Sequence, residues 1–167
     1  MSFENGISLT SALKKAKNLD EKLLLKQSFG QLLQQLHETT PINELITSDN
    51  WLKDQLIVAE QNLRTGGVDG TAELLDELKA TKLNPVKQTI IHGDCTIDNV
   101  LVNDGVVKMF IDVSGMTVGD PRYDISLAIR KFINNEEFIK AFYNGYTRYM
   151  VTNEEYRYFE EGLYEFF

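Results

Sequence analysis

The sequence predicts a predominantly helical α+β fold, with residues 1–167 in a single domain wrapped around a small central β-hairpin. Two observations carry this. Apolar residues recur at helical spacing on both sides of the chain's middle, whereas Thr89-Ile90-Ile91, Val100-Leu101-Val102 and Val106-Val107-Lys108-Met109-Phe110-Ile111 are β-type runs. Between the last two runs, Asn103-Asp104-Gly105 is a strong hairpin turn.

The first forty residues read as helical, with Leu25, Phe29, Leu32, Leu33 and Leu36 on one face and Asp20-Glu21 near the start. This helix ends near His37, and Pro41 confirms the break. Gly30 inside it costs ~1 kcal/mol against alanine, a cost tolerable where the missing side chain lets another element approach closely. A second helix starts near Asp49 and carries Trp51 or Leu52, Leu56 and Leu63 to Arg64. Thr65-Gly66-Gly67-Val68-Asp69-Gly70 then forms a loop, Thr71 caps a short helix with Leu74, Leu75 and Leu78, and Asn84-Pro85 lies beyond its end. After the hairpin, Asp120 caps and Pro121 begins a helix whose buried face is Ile125, Ala128, Ile129, Phe132 and Ile133. Two more helices are expected, about 135 to 150 and 153 to 166.

Composition narrows the class. At 167 residues, 43% hydrophobic and 10% aromatic, the chain can bury roughly 70% of its unfolded surface without disulfides or structural metals. No apolar run approaches the ~20 residues a bilayer requires, and Met1-Ser2-Phe3-Glu4-Asn5 lacks signal-peptide features, so a cytoplasmic protein with no membrane partner is expected. Seventeen basic against 25 acidic residues, a net charge of −8, argue against nucleic acid and favour a cationic partner. With one cysteine, Cys95, and only His37 and His92, neither an internal disulfide nor a usual zinc site is available.

The chemistry-bearing stretch is Ile91-His92-Gly93-Asp94-Cys95-Thr96-Ile97-Asp98-Asn99, followed across the hairpin by Ile111-Asp112. With Asp104-Gly105 as a two-residue turn, Asn103 pairs with Val106, Asn99 falls opposite Phe110, and Asp112 is its diagonal neighbour on the same face. An amide oxygen and a carboxylate converging at a strand end are hard ligands suited to Mg²⁺, which takes further oxygens from water and substrate phosphates. Asp94 then overhangs the metal, placed to accept the proton of an attacking hydroxyl.

His92-Gly93-Asp94 with Asn99, Ile111-Asp112 and Gly119-Asp120-Pro121-Arg122-Tyr123-Asp124 resembles, in order and spacing, the aminoglycoside phosphotransferase and choline kinase-like family, relatives of protein kinases. The resemblance extends over about residues 1 to 150, with Gly6-Ile7-Ser8-Leu9 similar to the segment after the family's interlobe hinge. It implies a protein kinase-like C-terminal lobe and transfer of the ATP γ-phosphoryl group to a hydroxyl of a small-molecule substrate. It further implies Asp94 as catalytic base, Asn99 and Asp112 as Mg²⁺ ligands, Asp124 bracing the catalytic loop from its helix, and His92 positioning that loop. The family's strand-rich nucleotide lobe has no counterpart in the sequence, so the expectation is an isolated large lobe: a fragment, a truncated product or half of a split enzyme. A separate small lobe or self-association is the corresponding partner expectation. The competing reading is a non-catalytic binding module that keeps the fold and oligomerises through an exposed apolar patch.

Other conspicuous residues have plainer readings. His37 is a helix-terminal cap or packing residue, favoured there by the helix dipole. Cys95 is a small loop residue, since Asp94 beside it disfavours a thiolate. The Gly66–Gly70 segment is a connection between helices, lacking the strand and Gly-Lys-Ser/Thr ending of a phosphate loop. Tyr143, Tyr146 and Tyr149 and the nearby glutamates are packing and a solvated acidic face.

Overall fold

A computed structural model describes residues 6–46 and 50–167. The fold is α+β and helix-rich, as the sequence predicts. Its elements are β1 (Ile7–Ser8), α1 (Leu9–Lys15), α2 (Leu19–Glu38), α3 (Trp51–Thr65), α4 (Ala72–Ala80), β2 (Thr89–Ile91), β3 (Val100–Asn103), β4 (Val106–Phe110), β5 (Thr117–Gly119), α5 (Pro121–Ile129), α6 (Glu136–Gly145) and α7 (Asn153–Phe159), with short 3₁₀ turns at Asn43–Leu45, Val113–Gly115 and Leu163–Phe166.

Helix boundaries follow side-chain caps. The initial helical stretch is two helices, because the Asn18 side chain accepts from Glu21 N–H and restarts the helix after Lys17. Asn50 caps α3, whose expected start near Asp49 falls outside the described residues. Thr71 and Asp120 cap α4 and α5 as predicted, with Pro121 at N1. Helix α5 is shorter than its periodicity suggests: it stops at Ile129, and Phe132 joins the core from a following turn. The last two predicted helices are likewise trimmed, to 136–145 and 153–159, with the C-terminal turn tightening to 3₁₀.

The β portion is larger than a hairpin. It comprises a three-stranded antiparallel sheet, β1-β3-β4, and a two-stranded one, β2-β5. Neither β1 nor β5 was expected, since each is so short that only its partner makes it a strand. The turn itself is as predicted: Asp104 and Gly105 both have positive φ, 50° and 74°, and Asn103 pairs with Val106. The register beyond it is not. Val102 pairs with Val107 but Leu101 pairs with Met109, so Lys108 is a bulge residue, and Val100 rather than Asn99 faces Phe110.

Two apolar clusters form the core. One gathers Leu25, Phe29 and Leu33 of α2 with Val100, Ile125, Phe142 and Tyr146; the other gathers Trp51, Leu75, Tyr123, Leu127, Phe159 and Phe166. Helices α2 and α6 meet at two glycines: a Cβ on Gly30 would overlap the Phe142 carbonyl oxygen, and one on Gly145 would overlap the Gln27 carbonyl oxygen. The close approach expected of Gly30 is therefore present, and it sets the separation of the two helices. Arg122, almost wholly buried, ties α5 to α7, donating to Asp120 Oδ2 at 2.6 Å and to Glu155 Oε1 at 2.8 Å. Burial works against its charge, but the bonds to Asp120 and Glu155 more than offset this and raise its pKa.

Candidate active site

The loop from His92 to Asn99 links β2 to β3, and buried groups fix its shape. Gly93 has φ +87°, and a Cβ there would press on Gly115 O, so both its conformation and its neighbour call for glycine. Asp124, fully buried on α5, accepts from His92 N–H at 2.6 Å and Gly93 N–H at 3.0 Å. His92 lies against the Phe110 ring, its Nε2 2.9 Å from Ile111 O, while its Nδ1 accepts from Asp94 N–H at 3.2 Å. These bonds assign Nε2 as the protonated nitrogen, and through them the imidazole joins the loop to the end of β4.

Asp94 and Asn99 are brought together directly. Asn99 Nδ2 donates to Asp94 Oδ2 at 2.7 Å and to Asp94 O at 2.9 Å. With its amino group so engaged, the Asn99 amide keeps Oδ1 as its remaining acceptor. Ile111 N–H donates to Asn99 O at 2.9 Å, so Asp112 follows one residue beyond the Asn99–Ile111 pair. The predicted diagonal relation between Asn99 and Asp112 on one sheet face is therefore incorrect: the Lys108 bulge advances the register by one residue. What turns Asp112 is its own backbone, left-handed at φ 55° and ψ 55°, with Ser114 Oγ donating to its Oδ1 at 3.2 Å. Its carboxylate is exposed. Among the described residues there is no cluster of three or more His, Cys, Asp or Glu side chains able to hold a metal.

Asp94 opens onto a cleft of about 370 Å³, walled by Trp51, Gln55, Tyr123, Tyr164 and Phe167. The Tyr164 hydroxyl donates to Asp94 Oδ1 at 3.4 Å, a long bond, and the Arg130 guanidinium stacks 4.8 Å from the Tyr164 ring. Burial, and then the Asp94 charge, raise the Tyr164 pKa and keep it a donor. Three larger hollows, about 450, 650 and 820 Å³, lie elsewhere and have no Asp94, Asn99 or Asp112 in their walls. On the other side of the loop, Thr10 Oγ1 donates to Asp98 Oδ1 at 2.6 Å and anchors it to α1.

Sequence reading missed two contributors. Tyr164 comes from the C-terminal turn, 70 positions from Asp94. Of the two readings of His37, packing holds and capping does not: it is buried, with Nε2 3.2 Å from Asp124 Oδ2 and Nδ1 2.7 Å from the Tyr146 hydroxyl, and these partners were not foreseen. The carboxylate accepts only, so Nε2 is the nitrogen that carries a proton toward Asp124. A histidine closing a helix just before a proline was the available signal, but its partners are 87 and 109 positions away. Cys95 is fully buried, and burial first, then the charges of Asp124 and Asp94, push its thiol pKa well above the ordinary value.

A family model described as the phosphotransferase enzyme family matches residues 1–159. The chain belongs to that family. It is 26% identical over 166 residues to an aminoglycoside 3'-phosphotransferase of Streptomyces fradiae, covering 88% of this chain and 61% of the relative. It is also 35% identical over 78 residues to the homoserine kinase of Neisseria meningitidis serogroup B, covering 43% of this chain and 26% of that one. Among solved structures, a type VIII aminoglycoside-3'-phosphotransferase superposes with TM-score 0.74 at 22% identity, over 98% of this chain and 66% of that one. An aminoglycoside phosphotransferase from Streptomyces rimosus, in complex with ADP and streptomycin, gives TM-score 0.69 at 16% identity, over 93% of this chain and 66% of that one. The phosphotransferase fold is thus shared nearly throughout, while this chain spans about three fifths of the length of its S. fradiae relative. No helix among its described residues is long and apolar enough to cross a membrane.

Proposed function

We propose that this phosphotransferase-family chain is the large lobe of an ATP-dependent kinase that phosphorylates a hydroxyl group of a small molecule. The observation that carries this reading is the Asp94–Asn99 pair, held at the mouth of the cleft by a loop that Asp124 clamps. Asp94 acts as base. Its Oδ2 is fixed by Asn99, and its Oδ1, held only by the long bond from Tyr164, takes the proton of an acceptor hydroxyl entering the cleft. The acceptor oxygen forms its bond to the γ-phosphorus as the bond to ADP breaks, and Asp94 keeps the proton. Asn99 Oδ1 and the Asp112 carboxylate are the residues to hold Mg²⁺, which when bound would neutralise phosphate charge. His92 and Asp124 position the loop and touch no substrate. The low-charge aromatic wall and the acidic balance of the chain favour an acceptor with cationic character. A nucleotide-covering small lobe, attached or supplied by another chain, completes the enzyme.

The test is phosphate transfer from Mg·ATP to amino-sugars, amino-alcohols and homoserine, by the chain alone and with a small lobe supplied covalently or in trans. Asp94→Asn should reduce transfer by roughly 10²–10⁴-fold. Undiminished transfer by Asp94→Asn removes the assigned base. A stable dimer with neither transfer nor Mg-dependent ATP binding favours the non-catalytic module instead.

A further inference from the structure

We propose that the hollow at the C-terminal end of α2, distinct from the cleft at Asp94, is a binding site for a small tetrahedral oxyanion of the phosphate type, and that its occupancy is transmitted to the catalytic loop. The hollow measures about 150 Å³ and is walled by His37, Glu38, Thr40, Lys87, Thr89 and Arg148, among others. At ~30 Å³ per water, that is room for one such ion with part of its hydration and not for a nucleotide.

Two features give the hollow its chemistry. Lys87 and Arg148, both exposed on its walls, form no ion pair with a carboxylate among the described residues, so both charges are available to an anion there. Thr89, 3% exposed, carries the one buried side-chain polar atom among the described residues with no hydrogen-bond partner. An unmade bond of this kind costs ~1–3 kcal/mol, so a hydroxyl kept there without a partner points to a group that arrives from outside. Glu38 and the helix C-terminus oppose an anion, so binding depends on both cations acting together.

The connection inward is a chain of hydrogen bonds. Arg148 stands close enough to the Tyr146 hydroxyl for its charge to oppose the rise that burial gives that group's pKa, the hydroxyl lies 2.7 Å from His37 Nδ1, and His37 Nε2 lies 3.2 Å from the Asp124 carboxylate. Asp124 in turn holds the His92 and Gly93 amides. An anion that draws Arg148 toward Lys87 takes a positive charge away from the Tyr146 hydroxyl and so rebalances the donors on Asp124. The site therefore bears on the geometry of the loop preceding Asp94, without contacting the cleft.

The experiment titrates the full chain with inorganic phosphate, with sulfate, and with chloride at matched ionic strength, following the Thr89 and Gly93 amides and the His37 ring by NMR. Phosphate and sulfate should move all three saturably, and chloride none of them. Lys87→Gln and Arg148→Gln, both surface changes, should each weaken phosphate about tenfold, as loss of a charge-assisted bond implies. Tyr146→Phe should keep the Thr89 response and lose that of Gly93. Equal responses to chloride, or an Arg148→Gln titration like the unmodified chain, would overturn the site; a Gly93 response surviving in Tyr146→Phe would overturn the transmission.

Discussion

Replacing Asp124 by asparagine isolates the brace of the catalytic loop. The carboxylate serves three donors: His92 N–H at 2.6 Å, Gly93 N–H at 3.0 Å and His37 Nε2 at 3.2 Å. Asparagine brings one acceptor oxygen and turns an amino group toward at least one of those donors. The loss comprises a charge-assisted bond of about 1.5–3 kcal/mol and a donor left unpaired at a site of 0% exposure, a further ~1–3 kcal/mol. The expected destabilisation is therefore about 3–5 kcal/mol, a large share of the ~5–15 kcal/mol that holds a domain of this size. Urea unfolding at neutral pH measures it, and amide exchange at Gly93 reports whether the loop has opened locally. A change below about 1 kcal/mol with Gly93 protection intact would refute the claim that this carboxylate fixes the loop.

Lys26 offers a pH signature. It is 2% exposed, with Nζ 3.7 Å from the Phe132 ring centroid, and burial lowers its pKa from 10.5 to about 7. The unfolded chain therefore binds the extra proton between pH 7 and 10.5, so stability should rise with pH across that window. The full difference corresponds to about 5 kcal/mol, reduced by ~1–2 kcal/mol of cation–π attraction. Lys26→Met should raise stability at pH 6 and flatten that slope in a series of denaturation curves; an unchanged slope would contradict it. Gly30→Ala, despite alanine's better helix propensity, should destabilise by about 1–3 kcal/mol because α2 and α6 must separate, and a thermal midpoint at or above that of the unmodified chain would refute the close-contact reading. Tyr164→Phe should leave the thermal midpoint within about 2 °C while changing acceptor binding, since its hydroxyl bond to Asp94 is long and only partly buried; a large loss of stability would give it a structural role instead.

What could be read in advance was what short-range chemistry encodes. Thr71 and Asp120 reveal themselves as caps because the side chain bonds an amide two or three residues on. Asp104-Gly105 reveals its turn because both residues tolerate positive φ, and Gly30 reveals a helix contact because a glycine inside a helix is otherwise a loss. The order His92-Gly93-Asp94, Asn99, Asp112, Asp124 pointed to the family, while the direct bond of Asn99 to Asp94, five positions apart, came only with the structure.

Tertiary structure decided the remainder, for one physical reason: the groups concerned have no bonding partner within reach along the chain. Strands β1 and β5 exist only where β3 and β2 complete their ladders, and the Lys108 bulge is imposed by how β4 fits between β3 and α2, where Val107 N–H meets Ser28 Oγ at 3.1 Å. Likewise His37 becomes part of the loop's support through Asp124 and Tyr146, Arg122 becomes a staple through Glu155, and Tyr164 reaches Asp94 from the far end of the chain. Local sequence determined most helices, their caps and the hairpin turn; packing across the whole chain determined the short strands β1 and β5, the register, and what each side chain finally touches.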